Sequence, residues 1–335
     1  MIAQINSDYI KTRPTKALTR LMSYAFFEGR PVTTKGRWIN PIVFFILKTA
    51  ARSNRRFTPI EKPIFILGTG RSGTTVLGVV LSMHKDVGYL NEPKAMWHLI
   101  HPQEDIIGNY SQGAAKYRLT AEDATSEMCE RAAQMFGAYL SVTGSKRLVD
   151  KYPELIFRVD FVCSLFPDAR FIFLVRNGWD TCHSIANWSK RLGVQVNGEK
   201  HDWWGIDDRK WKFLVDQLVT TDADLKNIIE DVQNFDRHLD RAAVEWALTM
   251  REGLHLMKNF PNSTYKIHFE ELTSKPEETL SPLCEFCELP TDRTFVNYAR
   301  HTLNPVPPRD PFELHPKVAP IFYDTMTRLG YSITR

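Results

Sequence analysis

The stretch IFILGTGRSGTTVLGVVL, residues 64–81, constrains this chain more than any other. Four apolar residues suited to a buried strand, Ile64 to Leu67, run into a glycine-rich turn. Behind the turn, Leu77, Val80 and Leu81 recur at helical spacing. Strand, tight loop and helix in that order turn the first backbone N–H groups of the helix toward one point, where an anion is favoured. Gly68 and Gly73 hold the two glycine positions of the phosphate-loop pattern G-x-x-x-x-G-K-[ST], and Thr75 holds its hydroxyl position. Thr74 stands where that pattern has lysine. Ser72, Thr74 and Thr75 add hydroxyl donors, and Arg71 adds a fixed charge, so the loop is equipped for an anion without the lysine that reaches a nucleoside triphosphate.

Short strand-like segments recur downstream, at 86–90, 147–151, 170–176 and 263–269, with helical patterns between them. That alternation predicts a parallel sheet covered by helices on both faces. The run RFIFLVR is the expected neighbour of the loop strand. It ends in Arg176, where a metal–triphosphate site would place an acid. Ser184 follows eight residues on, in the next predicted helix. The pattern therefore offers two anion sites and no obvious metal site, and no His, Cys and carboxylate spacing typical of a metal centre occurs. A nucleotide carrying phosphates at both ends satisfies it.

These residues resemble the sulfotransferases that use 3′-phosphoadenosine 5′-phosphosulfate (PAPS), in the branch containing the tyrosylprotein sulfotransferases and bacterial relatives. That branch has a P-R-S-G-T-T loop where this chain has Gly70-Arg71-Ser72-Gly73-Thr74-Thr75. The resemblance implies that these six residues hold the 5′-phosphosulfate and that Arg176 and Ser184 hold the 3′-phosphate. It implies a general base at Glu92, 21 residues after Arg71, and an active-site lysine at Lys151 of the segment DKYP. Arg71 and Lys151 would then stabilise the charge on the departing phosphate. Phe269-Glu270-Glu271-Leu272 stands where the family has Tyr-Glu-x-Leu, and Leu329-Gly330-Tyr331 matches the family's C-terminal end. The implied fold is a three-layer α/β arrangement of the P-loop NTPase-like kind, and the implied reaction is sulfuryl transfer to a hydroxyl acceptor (a glycan, a lipid headgroup or a small molecule) without a metal. The products would be the sulfated acceptor and adenosine 3′,5′-bisphosphate. The match is good over residues 63 to about 185 and loose over 264–280 and the C-terminus. Two other readings stay open on the residues alone: a small-molecule kinase on a degenerate loop, and a catalytically silent nucleotide-binding protein.

Charge is uneven. Residues 1–56 hold eleven Lys and Arg against two acids, a net +9 in a chain of net +4. This segment, with residues 57–60, is expected to be a basic helical arm before a domain at 61–335. Its basic face either lies in solvent beside a packed arm or meets an anionic membrane surface. Scattered basic residues and a small overall charge argue against nucleic acid. No apolar run approaches the roughly 20 residues of a membrane span, and no secretory leader is visible. A cytoplasmic protein, with membrane association left open, is the expectation. The five cysteines form no disulfide framework, and Cys284-x-x-Cys287 lacks the second pair a zinc site needs. Residues 189–240 are polar, with Trp203, Trp204 and Trp211 among charges. They read as an insertion of loops and helices whose tryptophans either wall an acceptor pocket or form its own small core.

Overall fold

The computed structural model describes residues 3–333. The outermost residues of the expected arm and domain, 1–2 and 334–335, lie outside the described residues. Five parallel strands form the central sheet: β1 (Ile64–Gly68), β2 (Val87–Asn91), β3 (Arg147–Lys151), β4 (Arg170–Val175) and, last in the chain, β8 (Thr264–His268). Their order is β2-β3-β1-β4-β8. β1 lies between β3 and β4, paired Ile66 to Lys151 and Gly68 to Leu174. The chain leaves β1 toward β2 on one side and later returns to β4 on the other. That reversal opens a crevice above the carboxyl end of β1, the position where such sheets bind ligands.

Alternation along each strand supplies two cores. Phe65, Leu67, Leu148, Phe171 and Phe173 point into one cluster, with the long helix 238–259 and helix 126–143. Ile64, Ile66, Val149, Ile172 and Leu174 point into the other, with helices 74–82 and 276–286. Helices thus cover both faces of the parallel sheet, as the alternating pattern predicts, and the three layers are the P-loop NTPase-like arrangement that the resemblance implies.

The segment before β1 is helical over Ser7–Thr12, Pro14–Phe26 and Asn40–Ala51, and it packs closely. β2 is an edge strand, whose free backbone groups would template pairing with another chain. Side chains of the segment occupy them. Lys16 Nζ donates to the Val87 carbonyl at 2.7 Å, Arg20 donates to the Tyr89 carbonyl at 3.2 Å, and Glu28 accepts from Asn91 N–H at 2.8 Å. Arg20 is itself paired with Glu28 at 2.6 Å, both buried. Arg13 reaches Asp292 at 2.6 Å. Part of the basic excess is therefore structural.

One expectation needs correction. Residues 189–240 contain an antiparallel sheet, β5 (Val194–Val196), β6 (Glu199–Asp202) and β7 (Gly205–Ile206), besides helices. Strands of two to four residues, with β5 exposed throughout, leave no alternation to read. Elsewhere, Thr120 and Asp123 form a capping box on a single 3₁₀ turn ahead of helix 126–143. The α-helix begins at Ser126 behind a second cap, Thr125, which accepts from Met128 N–H.

Candidate active site

The glycine-rich loop is shaped by contacts that few residues tolerate. Gly68 has φ +144°, and a Cβ there would sit 2.5 Å from the Leu174 carbonyl of the adjacent strand. Gly73, φ +103°, caps helix 74–82 and lies under the ring of Phe269. Arg71 is left-handed at φ +72°, a conformation an L-residue adopts at a cost. Ser72 and Thr74 are buried, and Thr75 is half-buried. Ser72 Oγ and Thr69 Oγ1 are buried with no hydrogen-bond partner among the described residues. Unpartnered hydroxyls beside a helix N-terminus and an arginine fit an anion.

Arg176 leaves the end of β4 and stacks 4.4 Å from the centre of the Phe269 ring. One of its guanidinium nitrogens donates to the Arg71 carbonyl at 3.2 Å, while its Nε is buried and has no hydrogen-bond partner among the described residues. Arg71 Nε in turn donates to Ser184 Oγ at 3.2 Å. Arg71 thus bridges the two predicted anion sites. Loss of hydration pulls the Arg71 pKa down, and Arg176 adds repulsion; loss of hydration also lowers Arg176. Two guanidiniums held close at such a cost are arranged to receive negative charge. The two C-terminal sequence matches meet beneath them. Tyr331 donates to Glu270 at 2.8 Å, and Glu270 accepts from Asn177 N–H at 3.0 Å, which fixes the turn after Arg176.

Glu92 and Lys151 come from the ends of neighbouring strands. Asn91 pairs with Lys151 in the β2–β3 ladder, so Glu92 emerges one residue beyond it. The Glu92 N–H donates to the Lys151 carbonyl at 2.7 Å, and the backbone turns through φ +51°. Lys151 Nζ donates to Glu92 Oε1, and Lys94 Nζ lies 3.5 Å from Oε2. Lys151 is 2% exposed and Glu92 about one-third exposed at its side chain, so the carboxylate carries the open face of the pair. Burial pushes the Glu92 carboxyl up; Lys151 and Lys94 outweigh it and hold the group at about 2. Lys94 was not anticipated from sequence, although it lies two residues from Glu92 in Asn-Glu-Pro-Lys.

One cleft joins Gly70, Arg71, Thr74 and Thr75 with Glu92, Lys94 and Lys151. Arg176 and Ser184 lie outside it, reached through Arg71. Trp203 and Trp188 wall the cleft, their rings edge to face at 5.5 Å. Trp203 overlies Gly70 so closely that a Cβ there would collide with its ring. It is fixed by donation to Glu245 at 2.6 Å and by Lys210 Nζ 4.5 Å from its ring. Trp204 and Trp211 instead pack on each other, buried. Trp203 thus lines the cleft, whereas Trp204 and Trp211 belong to the buried cluster on one face of the central sheet. Pro31, Val32 and Thr33, from between helices 14–26 and 40–51, close another side. Among the described residues, no group of three or more His, Cys, Asp or Glu is gathered as a metal site.

Residues 63–204 match the model of the sulfotransferase family. An uncharacterized protein of Aquifex aeolicus is 28% identical over 79% of this chain and 30% of its own length. A protein-tyrosine sulfotransferase of Drosophila melanogaster is 30% identical over 64% of this chain and 41% of its own. The chain thus spans well under half the length of these relatives. The solved sulfotransferase domain of the curacin biosynthetic pathway aligns with 82% of this chain and 99% of its own at 16% identity and TM-score 0.48. The matched span, less than half of the chain, begins at the residue before β1 and contains the glycine-rich loop, Glu92, Lys151, Arg176 and Ser184, and over that span the chain is similar to the sulfotransferase family.

Proposed function

We propose that this chain transfers a sulfuryl group from PAPS to a hydroxyl acceptor that enters the cleft beside Trp203. The observation that carries this is the Glu92–Lys151 pair, an ionised carboxylate and a buried ammonium held together at the lip of an anion loop that lacks the Walker lysine. The loop residues Gly70 to Thr75 would hold the 5′-phosphosulfate, and Arg176 with Ser184 the 3′-phosphate. Glu92 takes the hydroxyl proton as the acceptor oxygen bonds to sulfur. Lys151 and Arg71 take up the negative charge left on the phosphate oxygen when its bond to sulfur breaks, the product being adenosine 3′,5′-bisphosphate. The sulfuryl group carries less charge than a transferring phosphoryl group, so side-chain cations suffice for its neutralisation.

Glu92 is a weak base while both lysines hold it. Lys151 serves two anions in this scheme, and any movement toward the phosphosulfate weakens its hold on Glu92 and raises the carboxylate's basicity. The curated relatives named protein-tyrosine sulfotransferases act, by that name, on a phenolic hydroxyl, which belongs to the acceptor class proposed.

Calorimetric titration with adenosine 3′,5′-bisphosphate, and separately with Mg-ATP, tests the reading. Metal-independent binding of the bisphosphate, with Mg-ATP much weaker, is expected. Preference for Mg-ATP would replace it with the kinase reading, and loss of neither ligand's affinity in Arg71→Ala and Arg176→Ala would remove the two-anion site.

A further inference from the structure

Helix Asn40–Ala51 uses one face and leaves the other unexplained. Val43, Leu47 and Ala50 are buried, and Phe44 meets Tyr110 edge to face at 5.1 Å, so the helix is fully docked from within. On the outward face Ile42 is 47% exposed and Phe45 71% exposed, and Trp38, one turn earlier, is 78% exposed. Single exposed apolar residues are ordinary. Three large ones along one stripe, all left exposed, are not.

The surrounding charge identifies what would cover them. From Gly29 to Ile60 the chain has no Asp or Glu. Lys35 and Arg37 lie exposed before the stripe, and Lys48, Arg52, Arg55 and Arg56 lie exposed after it. The buried cations Lys16, Arg20 and Arg30 already have structural partners, so they are not part of this set. An apolar stripe with a tryptophan, flanked at both ends by cations that make no ion pair among the described residues, is the composition of a helix that lies in the plane of an anionic bilayer surface. No described helix is long and apolar enough to cross a membrane.

We propose that residues 35–56 seat this protein on an anionic lipid surface, with Trp38, Ile42 and Phe45 entering the headgroup boundary and the six cations pairing with lipid charge. Residues 31–33, which line the cleft, are joined to this surface directly: Arg37 donates to the Asn109 carbonyl at 3.0 Å, and the Asn109 side chain accepts from Val32 N–H at 3.4 Å. Docking does not depend on the transfer chemistry.

The test is co-sedimentation of the full chain with phosphatidylcholine vesicles, with and without phosphatidylglycerol. Binding is expected to be at least tenfold tighter to the anionic vesicles and to weaken with salt. Trp38→Glu with Phe45→Glu, and separately Lys48→Glu with Arg52→Glu, should each lose tenfold or more with an unchanged thermal midpoint and an unchanged affinity for adenosine 3′,5′-bisphosphate. Equal partition to both vesicle types, no partition, or wild-type binding by both double variants would overturn the proposal. A change from dimer to monomer in the Trp38/Phe45 variant, without lipid binding by the parent, would overturn it in favour of a second copy of the chain.

Discussion

Glu92 and Lys151 are bound to each other twice, through side chains and through backbone. Lys151 Nζ donates to the Glu92 carboxylate, while the Glu92 N–H donates to the Lys151 carbonyl at 2.7 Å. The backbone bond fixes where the carboxylate starts, and the left-handed turn at Glu92 aims it into the cleft. The side-chain bond sets its charge.

From this pair follow two kinetic outcomes. Glu92→Gln should lower kcat by about 10²–10⁴ with little change in bisphosphate affinity, the usual contribution of a general base. Glu92 is held near 2 against an ordinary value near 4.5, so it stays ionised as pH falls through the ordinary carboxylate range. The acid limb of kcat/KM, which reports the free enzyme, should lie below that range. In Lys151→Met the burial contribution is less opposed, the Glu92 pKa rises, and the limb moves to higher pH. The same depression means that Glu92 adds stability above its unfolded pKa, and this is lost as pH falls toward about 2. A limb that stays in place in Lys151→Met would show that Lys151 does not control this carboxylate.

Arg71 and Arg176 are joined by the 3.2 Å bond from Arg176 to the Arg71 carbonyl, and in the proposed reading they receive the nucleotide's anions as one unit. Replacing either by Ala should weaken adenosine 3′,5′-bisphosphate by about 10- to 100-fold, the worth of a charge-assisted hydrogen bond. Arg176→Lys should recover only part of this, because Lys keeps the charge but not the planar fork that stacks on Phe269. Calorimetry on the three variants decides it; full recovery in Arg176→Lys would reduce the site to point charge.

How much of this was legible follows from sequence distance. The loop, Arg176 and Ser184 were visible because strand, turn and helix put their signals within a few residues of each other. Glu92 and Lys151 carry no local mark and were found through spacing shared with a family. Lys210 and Glu245 reach the site from separate segments, and nothing in their own neighbourhoods says so. The edge-capping role of Lys16 and Arg20 was hidden for the same reason: a basic excess looks identical whether its members point to solvent or to the carbonyls of a strand some 70 residues away.

Trp203 and Gly70 should behave as a coupled pair. Gly70→Ala puts a methyl where the Trp203 ring lies, so either the loop or the indole must move, and nucleotide binding should weaken by tenfold or more. Adding Trp203→Ala removes the obstruction and should restore bisphosphate affinity toward that of Trp203→Ala alone. A double-mutant cycle on Kd measures the coupling. Additive losses would mean that Gly70 is required by the ligand rather than by the tryptophan.

Arg20 bears on stability rather than chemistry. It lies buried against Glu28 at 2.6 Å and donates to the Tyr89 carbonyl on the free edge of β2. Arg20→Ala strands a buried carboxylate and removes one of the donors to that carbonyl; Tyr139 also donates there, at 3.1 Å. The expected loss is about 3–5 kcal/mol, the range for breaking one side of a buried pair. Arg20→Met combined with Glu28→Leu removes both charges together and should lose less than Arg20→Ala alone, even though it deletes one more side chain from the site. Denaturant midpoints for the two variants give the order. If the double variant is the weaker of the two, the arginine and glutamate stabilise the edge mainly through their bonds to the strand, to the Tyr89 carbonyl and to Asn91 N–H, and the ion pair itself is secondary.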